Sequence, residues 1–326
     1  MNFLSAAIKG GLLLLLMFLP ALIWPSGDQP TQPREDPAST IRVNVDVVVL
    51  HASTQDRKGA LVSGLGKADF QVYENGVRQQ IRTFSHDDIP VTVGLVVDSS
   101  GSMRPKQQEV IAAVVAFAHS SHPQDQMFIV SFNENVRFAL PPTLAFTDQA
   151  DELEHALSNT LPNGKTALYD AVAVALQYLK NGRRDKRVLI VVSDGADNAS
   201  RHQREQMMTL ASQSDAIIYT VGLFEEEDPD KDPRTLKRLA QATGGEAFLP
   251  ESVKEVVPVF EKIARDIRNQ YTLTYTPANQ NLDGSYRTVQ VTAVTPGRGR
   301  IKVRTRSGYY APSRPQPTPG AGSNPR

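Results

Sequence analysis

Asp98, Ser100 and Ser102 are the part of the chain where residue type and spacing most directly suggest chemistry. One carboxylate followed at two-residue intervals by two hydroxyls is a cluster of hard oxygen donors, which suits a small divalent cation. Gly101, between the serines, permits a tight path on which both hydroxyls face one point. Two more segments supply groups for the same place: Thr166, in the polar loop Asn163-Gly164-Lys165-Thr166, and Asp194, in Ser193-Asp194-Gly195. Magnesium prefers octahedral oxygen at about 2.0–2.1 Å and keeps several waters. A site using hydroxyls directly and holding its carboxylates partly through water leaves such a cation under-neutralised, so it would bind a partner's Asp or Glu.

These groups need strands to carry them. Val91 to Val97 is apolar without polar alternation, which predicts a central parallel strand covered on both faces, and Asp98 stands at its carboxyl end. Val188 to Ser193 repeats the pattern and ends at Asp194. Open α/β sheets bind ligands at that end of their strands. Between and after them the spacing predicts helices over Gln107–His119, about Asp148–Leu157, Thr166–Leu179, Arg204–Ser214, Pro233–Ala242 and Val253–Arg268. Strands are predicted over Met127–Phe132, Ala216–Val221 and Ala247–Leu249, with Val136–Leu140 as an edge strand before Pro141-Pro142. The fold class expected is α/β: a doubly wound, mostly parallel sheet with helices on both faces, over residues 89–269.

The flanks read as β-structure. Ile41–Leu50 and Phe70–Ile81, the latter with an Asn75-Gly76 hairpin signal, make residues 41–88 a β-rich segment. Tyr271–Thr276, Tyr286–Val294 and Ile301–Thr305, with turn signals at Asp283-Gly284 and Pro296-Gly297, do the same for residues 270–311. Pairing of the two segments would make the α/β domain an insertion in one β-module.

Lys9 followed by the apolar stretch Gly10 to Trp24 makes residues 1–25 a signal peptide or N-terminal anchor, and so predicts an exported protein, periplasmic, cell-surface or secreted, with a membrane tether if the segment is uncut. Residues 26–40 read as a flexible linker and the Pro/Gly/Ser-rich residues 312–326 as a disordered tail. Lys+Arg and Asp+Glu number 35 each in 326 residues, so net charge gives no reason to expect nucleic acid as a partner. The absence of cysteine excludes disulfides, thiolate metal sites, cysteine nucleophiles and a lipid-modified N-terminal cysteine.

Asp98-Ser99-Ser100-Gly101-Ser102, with Thr166 and Ser193-Asp194-Gly195 following in order, resembles the metal-ion-dependent adhesion site of von Willebrand factor type A domains, the module shared by integrin I domains. The resemblance covers roughly Pro90 to Asn269. The flanks, through Leu65-Gly-Lys-Ala-Asp-Phe70, Gln270 to Pro277 and Arg306-Ser-Gly-Tyr-Tyr310, are similar to exported bacterial proteins called VWFA-related. The resemblance implies that Ser100, Ser102 and Thr166 ligate Mg2+ directly, with Mn2+ or Ca2+ as alternatives, that Asp98 and Asp194 act mostly through water, and that a partner's carboxylate completes the shell. It also implies movement of a carboxyl-terminal helix, here Val253 to Arg268, on metal engagement. Lys165 stands where the family often has glycine, and is expected either to pair with a carboxylate or to face solvent.

The function expected is therefore a non-enzymatic, divalent-cation-dependent protein-binding module of adhesion type, with Met103-Arg104-Pro105 and the acidic loop from Glu225 choosing the partner. The rival is a metal-dependent hydrolase or phosphoryl-transfer enzyme on the same rim; against it, Ser100 stands where an aspartyl-phosphate mechanism wants a second carboxylate, and no Gly-x-Ser-x-Gly elbow occurs. A structural envelope protein binding through its β-module is a third reading. Asp170, one turn after Thr166, is read as orienting it or as an exposed or capping residue, and Arg183 to Arg187 as a charged turn. The histidines show no metalloprotease spacing, and His119 and His122 read as helix-end residues.

Overall fold

The computed structural model describes residues 47–224, 231–297 and 301–313. In chain order the strands before the α/β unit are β1 (Val48–Gln55), β2 (Phe70–Glu74), β3 (Val77–Gln79) and β4 (Ile81–Ser85). The α/β unit contains β5 (Val91–Asp98), α1 (Gln107–His119), β6 (Gln126–Phe132), β7 (Val136–Phe138), α2 (Ala150–Ser158), α3 (Leu168–Leu179) and β8 (Lys186–Ser193). It continues with α4 (Arg204–Gln213), β9 (Ile217–Gly222), α5 (Pro233–Thr243), β10 (Ala247–Phe248) and α6 (Val256–Arg268). After it come β11 (Tyr271–Tyr275), β12 (Tyr286–Ala293), β13 (Lys302–Arg304) and β14 (Gly308–Tyr310).

The central sheet has six strands in the order β10-β9-β8-β5-β6-β7, all parallel except the edge strand β7. All eight residues of β5 are buried, as a strand covered by helices on both faces requires. The strand order reverses direction between β5 and β8, so the crevice beyond their carboxyl ends is the fold's topological switch point. Asp98 ends β5 and Asp194 follows β8, which places both acids there. Gly94 lets the layers close: a Cβ at this position would lie 2.4 Å from Leu189 Cδ2 and 2.5 Å from Phe128 Cζ.

Two four-stranded antiparallel sheets, β13-β1-β11-β4 and β14-β12-β2-β3, flank the α/β unit, and each mixes strands from both ends of the chain. Leu50, Phe70, Val72, Tyr271, Leu273 and Val291 form their shared core. The β2–β3 turn has Asn75 at φ 48° and Gly76 at φ 78°, the left-handed pair expected of an Asn-Gly hairpin. Strands β4 and β11, which bracket the α/β unit, are direct neighbours, with Ser85 opposite Thr272.

A buried polar joint ties these sheets to the α/β unit. Asp266 of α6 accepts from Tyr219 Oη of β9 and Ser53 Oγ of β1, and pairs with Arg304 of β13. Gln270 donates to both Ser53 Oγ (3.1 Å) and Tyr219 Oη (3.0 Å). Arg268 pairs with the buried Asp125 at 2.8 Å, and Lys186 Nζ donates to the Ile267 carbonyl.

Several sequence expectations need correction. The first strand runs past its expected end at Leu50 to Gln55, because Ser53, Thr54 and Gln55 find polar partners in Asp266, Val62 and Glu246 and so stay buried despite their polarity; residues 41–46 lie outside the described residues. Arg183 to Arg187 is not simply a charged turn: Lys186 is 3 % exposed and opens β8. Helix α3 starts at Leu168 rather than Thr166, since Thr166 and Ala167 hydrogen-bond to the neighbouring Asn198 and Asn133 instead. Ser313 of the expected tail bridges to Asp283, and residues 314–326 lie outside the described residues. The apolar stretch Gly10 to Trp24, the linker 26–40 and the acidic loop from Glu225 also lie outside them. Among the described residues, no helix is long and apolar enough to cross a membrane.

Two stability measurements follow from this packing. Gly94→Ala overfills the β5 layer and is expected to destabilise the protein by about 1–3 kcal/mol in urea unfolding, without loss of the folded baseline. Burial, and then the Arg268 guanidinium, lowers the Lys186 ammonium from 10.5 to about 7, against the attraction of Asp266, Asp88 and Asp125. Below about pH 7 both states keep the proton and the burial cost is full; between about 7 and 10.5 only the unfolded chain keeps it, so stability rises with pH there. Lys186→Met should flatten that rise, whose slope is at most about 1.4 kcal/mol per pH unit.

Candidate metal centre

Strand β5 delivers Asp98 to the rim at 3 % exposure, and the turn after it is pinned from below. Ser99 N donates to the Phe132 carbonyl (2.7 Å), Ser99 Oγ donates to the same oxygen, and Ser131 Oγ donates to Ser99 Oγ. Ser99 is thereby turned into β6, away from the cluster. Asp98 Oδ1 accepts from Ser100 N at 2.8 Å and Oδ2 from Ser193 Oγ at 2.7 Å. Ser100 Oγ lies 3.1 Å from Ser102 Oγ, and Ser102 Oγ donates to Asp194 Oδ2 at 2.6 Å. Four of the five expected site residues, Asp98, Ser100, Ser102 and Asp194, are thus linked through hydrogen bonds. Ser102 is exposed, so the cluster opens outward.

Thr166 reaches the same rim through its loop. Asn163 N donates to the Ser99 carbonyl (2.9 Å) and Gly101 N to the Gly164 carbonyl (3.2 Å), stitching the two loops together. Thr166 is buried; its N–H donates to Asn198 Oδ1, and its carbonyl accepts from Asn198 N and Ala199 N. Among the described residues, no hydrogen bond joins its hydroxyl to the other four site residues. Gly164 sits at φ 76°, a left-handed backbone conformation that favours glycine; a Cβ there would also displace the end of the exposed Glu134 side chain.

The electrostatics favour a positive guest. Burial, and after it the charge of Asp194, pushes the Asp98 carboxyl from 3.8 up to about 6, against the hydrogen bonds from Ser100 and Ser193. The charge of Asp194 thus disfavours ionisation of the buried Asp98, and a cation between the two would remove that penalty. Among the described residues, no group of three or more His, Cys, Asp or Glu is placed to hold a metal ion. The donor set is instead two carboxylates with serine and threonine hydroxyls, all hard oxygens, which fits Mg2+ better than a soft or imidazole-seeking metal.

Other expected contacts turn out differently. Met103 is 1 % exposed and packs in the core, so it cannot meet a partner. Asp170 does not orient Thr166: its carboxylate accepts from Arg201 N (3.0 Å) and His202 N (2.9 Å) and meets His202 Nδ1 at 2.6 Å. Lys165 is exposed and engages Glu134 through its backbone N–H at 2.8 Å. Sequence reasoning missed Ser193 as the hydroxyl that holds Asp98, although its place beside Asp194 was the available signal. It also missed Asn198, whose role depends on a fold-back that no local spacing announces.

The Asp170 latch gives a pH test. Burial raises its carboxyl, but the hydrogen bonds from Arg201 and His202 outweigh this and hold it below the ordinary 3.8. Its contribution is therefore present above pH 3.8 and lost as pH falls through the lowered value. Asp170→Ala is expected to speed exchange of the Arg201 and His202 amides by about tenfold or more near neutrality, read by hydrogen exchange.

With this geometry in hand, comparison with known proteins is informative. The family model for the von Willebrand factor type A domain matches residues 93–196, a span that includes all five expected site residues. An uncharacterized protein of Borreliella burgdorferi is 26% identical over 141 residues, covering 43% of this chain and 40% of that protein. Inter-alpha-trypsin inhibitor heavy chain H2 of Sus scrofa is 22% identical over 277 residues, covering 81% of this chain and 28% of its own length. The chain therefore spans less than half the length of either relative. A solved von Willebrand factor type A protein from Catenulispora acidiphila is 13% identical, with coverage of 83% of this chain and 75% of that one and a TM-score of 0.49.

Proposed function

From the premise that the chain contains a von Willebrand factor type A domain, we propose that it is an exported, divalent-cation-dependent protein-binding module that captures an acidic side chain of a partner. The fold itself is that of a protein-interaction module, and the reading is of binding without catalysis. The observation that carries the finer reading is the linked chain Ser193–Asp98–Ser100–Ser102–Asp194 at the switch point, with its exposed end at Ser102. Ser100, Ser102 and Thr166 would hold Mg2+ through their hydroxyls, and Asp98 and Asp194 through their charge. When bound, the cation supplies a coordination position that a protein carboxylate can fill. The chain's own residues do the rest: Ser193 orients Asp98, the Ser99 turn fixes the loop height, and Asn198 holds the Thr166 loop.

Export is proposed from Lys9 and the apolar stretch Gly10 to Trp24. The division of the chain at 41–88, 89–269 and 270–311 is proposed with it, the strand pairing of β1, β2 and β4 with β11 and β12 being its support.

Mg2+ added to full-length protein at about 100 times its dissociation constant should raise unfolding free energy by about 2.7 kcal/mol, and chelator should reverse this. Asp98→Ala/Ser100→Ala should remove the response while leaving the cation-free protein folded. Pull-down from an envelope extract should lose its captured partner in chelator and in the same double variant. A Mg2+ response unchanged by the double variant, or captured sets identical with and without chelator, would overturn the reading.

A further inference from the structure

Beside the rim lies a groove of ≈ 460 Å3, a volume in the range that accepts a few side chains. Ser99, Ser131 and Ala139 line it, with Arg137 on one side and Thr160 and Asn163 on the other. It adjoins the candidate metal centre on the β6 side: Ser99 and Asn163 line it and belong to the two loops stitched together there, while none of the five site residues does. Its hydroxyls are already satisfied: Ser131 Oγ donates to Ser99 Oγ, which donates to the Phe132 carbonyl.

Two side chains at this groove lack a protein partner's usual cover. Leu161, which also lines it, is 78 % exposed, the most exposed large apolar side chain among the described residues. The Arg137 side chain makes no hydrogen bond and no close ion pair among the described residues, its charge acting on Glu134 at longer range. The nearby acid, Glu134, accepts from Lys165 N at 2.8 Å, and the charges of Lys165 and Arg137 both act on it. Arg104, whose guanidinium donates to the Pro162 carbonyl, and the exposed Lys165 add positive charge on this side. On this side two cations act on one acid, so the groove favours an anionic group where the acid pair Asp98 and Asp194 of the rim favours a cation.

Sheet register sets the reach. Asp98 is opposite Phe132 of β6, and the adjacent residue Ser131 is opposite Arg137 of β7. Arg137 is therefore two strands across from the end of β5, about 10 Å at the usual strand spacing. An extended chain covers that in about three residues.

We propose that this groove receives the partner segment running on from the metal-bound acid, and that Arg137 selects a second acidic side chain about three residues along, with an intervening apolar side chain against Leu161. The ligand class is an extended acidic peptide, Asp/Glu-x-x-Asp/Glu with an apolar x. This rests on the rim being a cation-dependent site for carboxylates.

The test uses full-length protein in Mg2+ and three fluorescent hexapeptides that differ at one position. All carry Glu and a leucine, followed three residues after the Glu by Glu, Gln or Lys. Polarisation is expected to rank Glu over Gln over Lys, with up to about fivefold per step, the worth of one partly screened ion pair, and to compress with added salt. Arg137→Glu should invert the ranking so that the Lys peptide binds best, and Leu161→Ser should weaken all three. Equal binding of the three peptides by wild type, all of it abolished by chelator, would overturn the groove while leaving the rim reading intact. Absence of chelator-sensitive binding by any peptide, together with no Mg2+ stabilisation, would overturn the rim reading and the groove with it. An Arg137→Glu protein that keeps the wild-type ranking would also overturn the proposal.

Discussion

Two carboxylates are brought together where two parallel strands end, and the rest of the rim answers to that. β5 and β8 are hydrogen-bonded neighbours, so Asp98 and Asp194 must share one crevice once the sheet forms. Burial plus the neighbouring charge already raises the Asp98 carboxyl to about 6, a measure of how uncomfortable the pair is without a counter-charge. The serines soften this by donating hydrogen bonds to the acids, from Ser193 to Asp98 and from Ser102 to Asp194. In the same arrangement the Ser100 and Ser102 hydroxyls lie 3.1 Å apart. Packing upstream makes the arrangement rigid: a fully buried β5, and a glycine at position 94 with no room for a methyl group.

Much of this was legible because buried parallel strands write themselves plainly. Val91–Val97 and Val188–Val192 are apolar without interruption, and each runs into an acid, so the strand ends and their cargo appear in the same few residues. The Asn75-Gly76 hairpin was equally readable, because its backbone angles are ones few other residues adopt. What the spacing could not carry were partnerships across the fold. Lys186 looked like one more charge in Arg183 to Arg187, and only the packing of α6 over β8 buries it against the Ile267 carbonyl. Met103 looked like a surface contact beside the serines, yet the short helical turn over Gly101–Lys106 directs it inward. Asp170 sits one turn from Thr166 in sequence, but its carboxylate is claimed by the backbone of Arg201 and His202.

The polar joint around Asp266 has a different character from the rim. There a buried acid receives a tyrosine hydroxyl, a serine hydroxyl and a guanidinium from three strands, all at Oδ2, while its Oδ1 is buried without a hydrogen-bond partner, and the Arg304 guanidinium meets its charge within the protein. Removing any one donor would leave a buried carboxylate short of partners, which costs more than the net worth of the bond lost. The two acidic sites thus differ: one is paired with a guanidinium inside the protein, the other opens outward through Ser102.

The pairing of β4 with β11 carries a mechanical consequence. Ser85 and Thr272 are register partners, yet the whole α/β unit lies between them along the chain. Tension along the chain would reach the roughly two hundred residues closed by that pair only through the β4–β11 ladder and the side-chain joint at Asp266, not through their own backbone, until the ladder shears. Under load the flanking ladders would therefore give way before the rim around Asp98 and Asp194 is stretched, so that strain falls first on a part of the polypeptide remote from those acids.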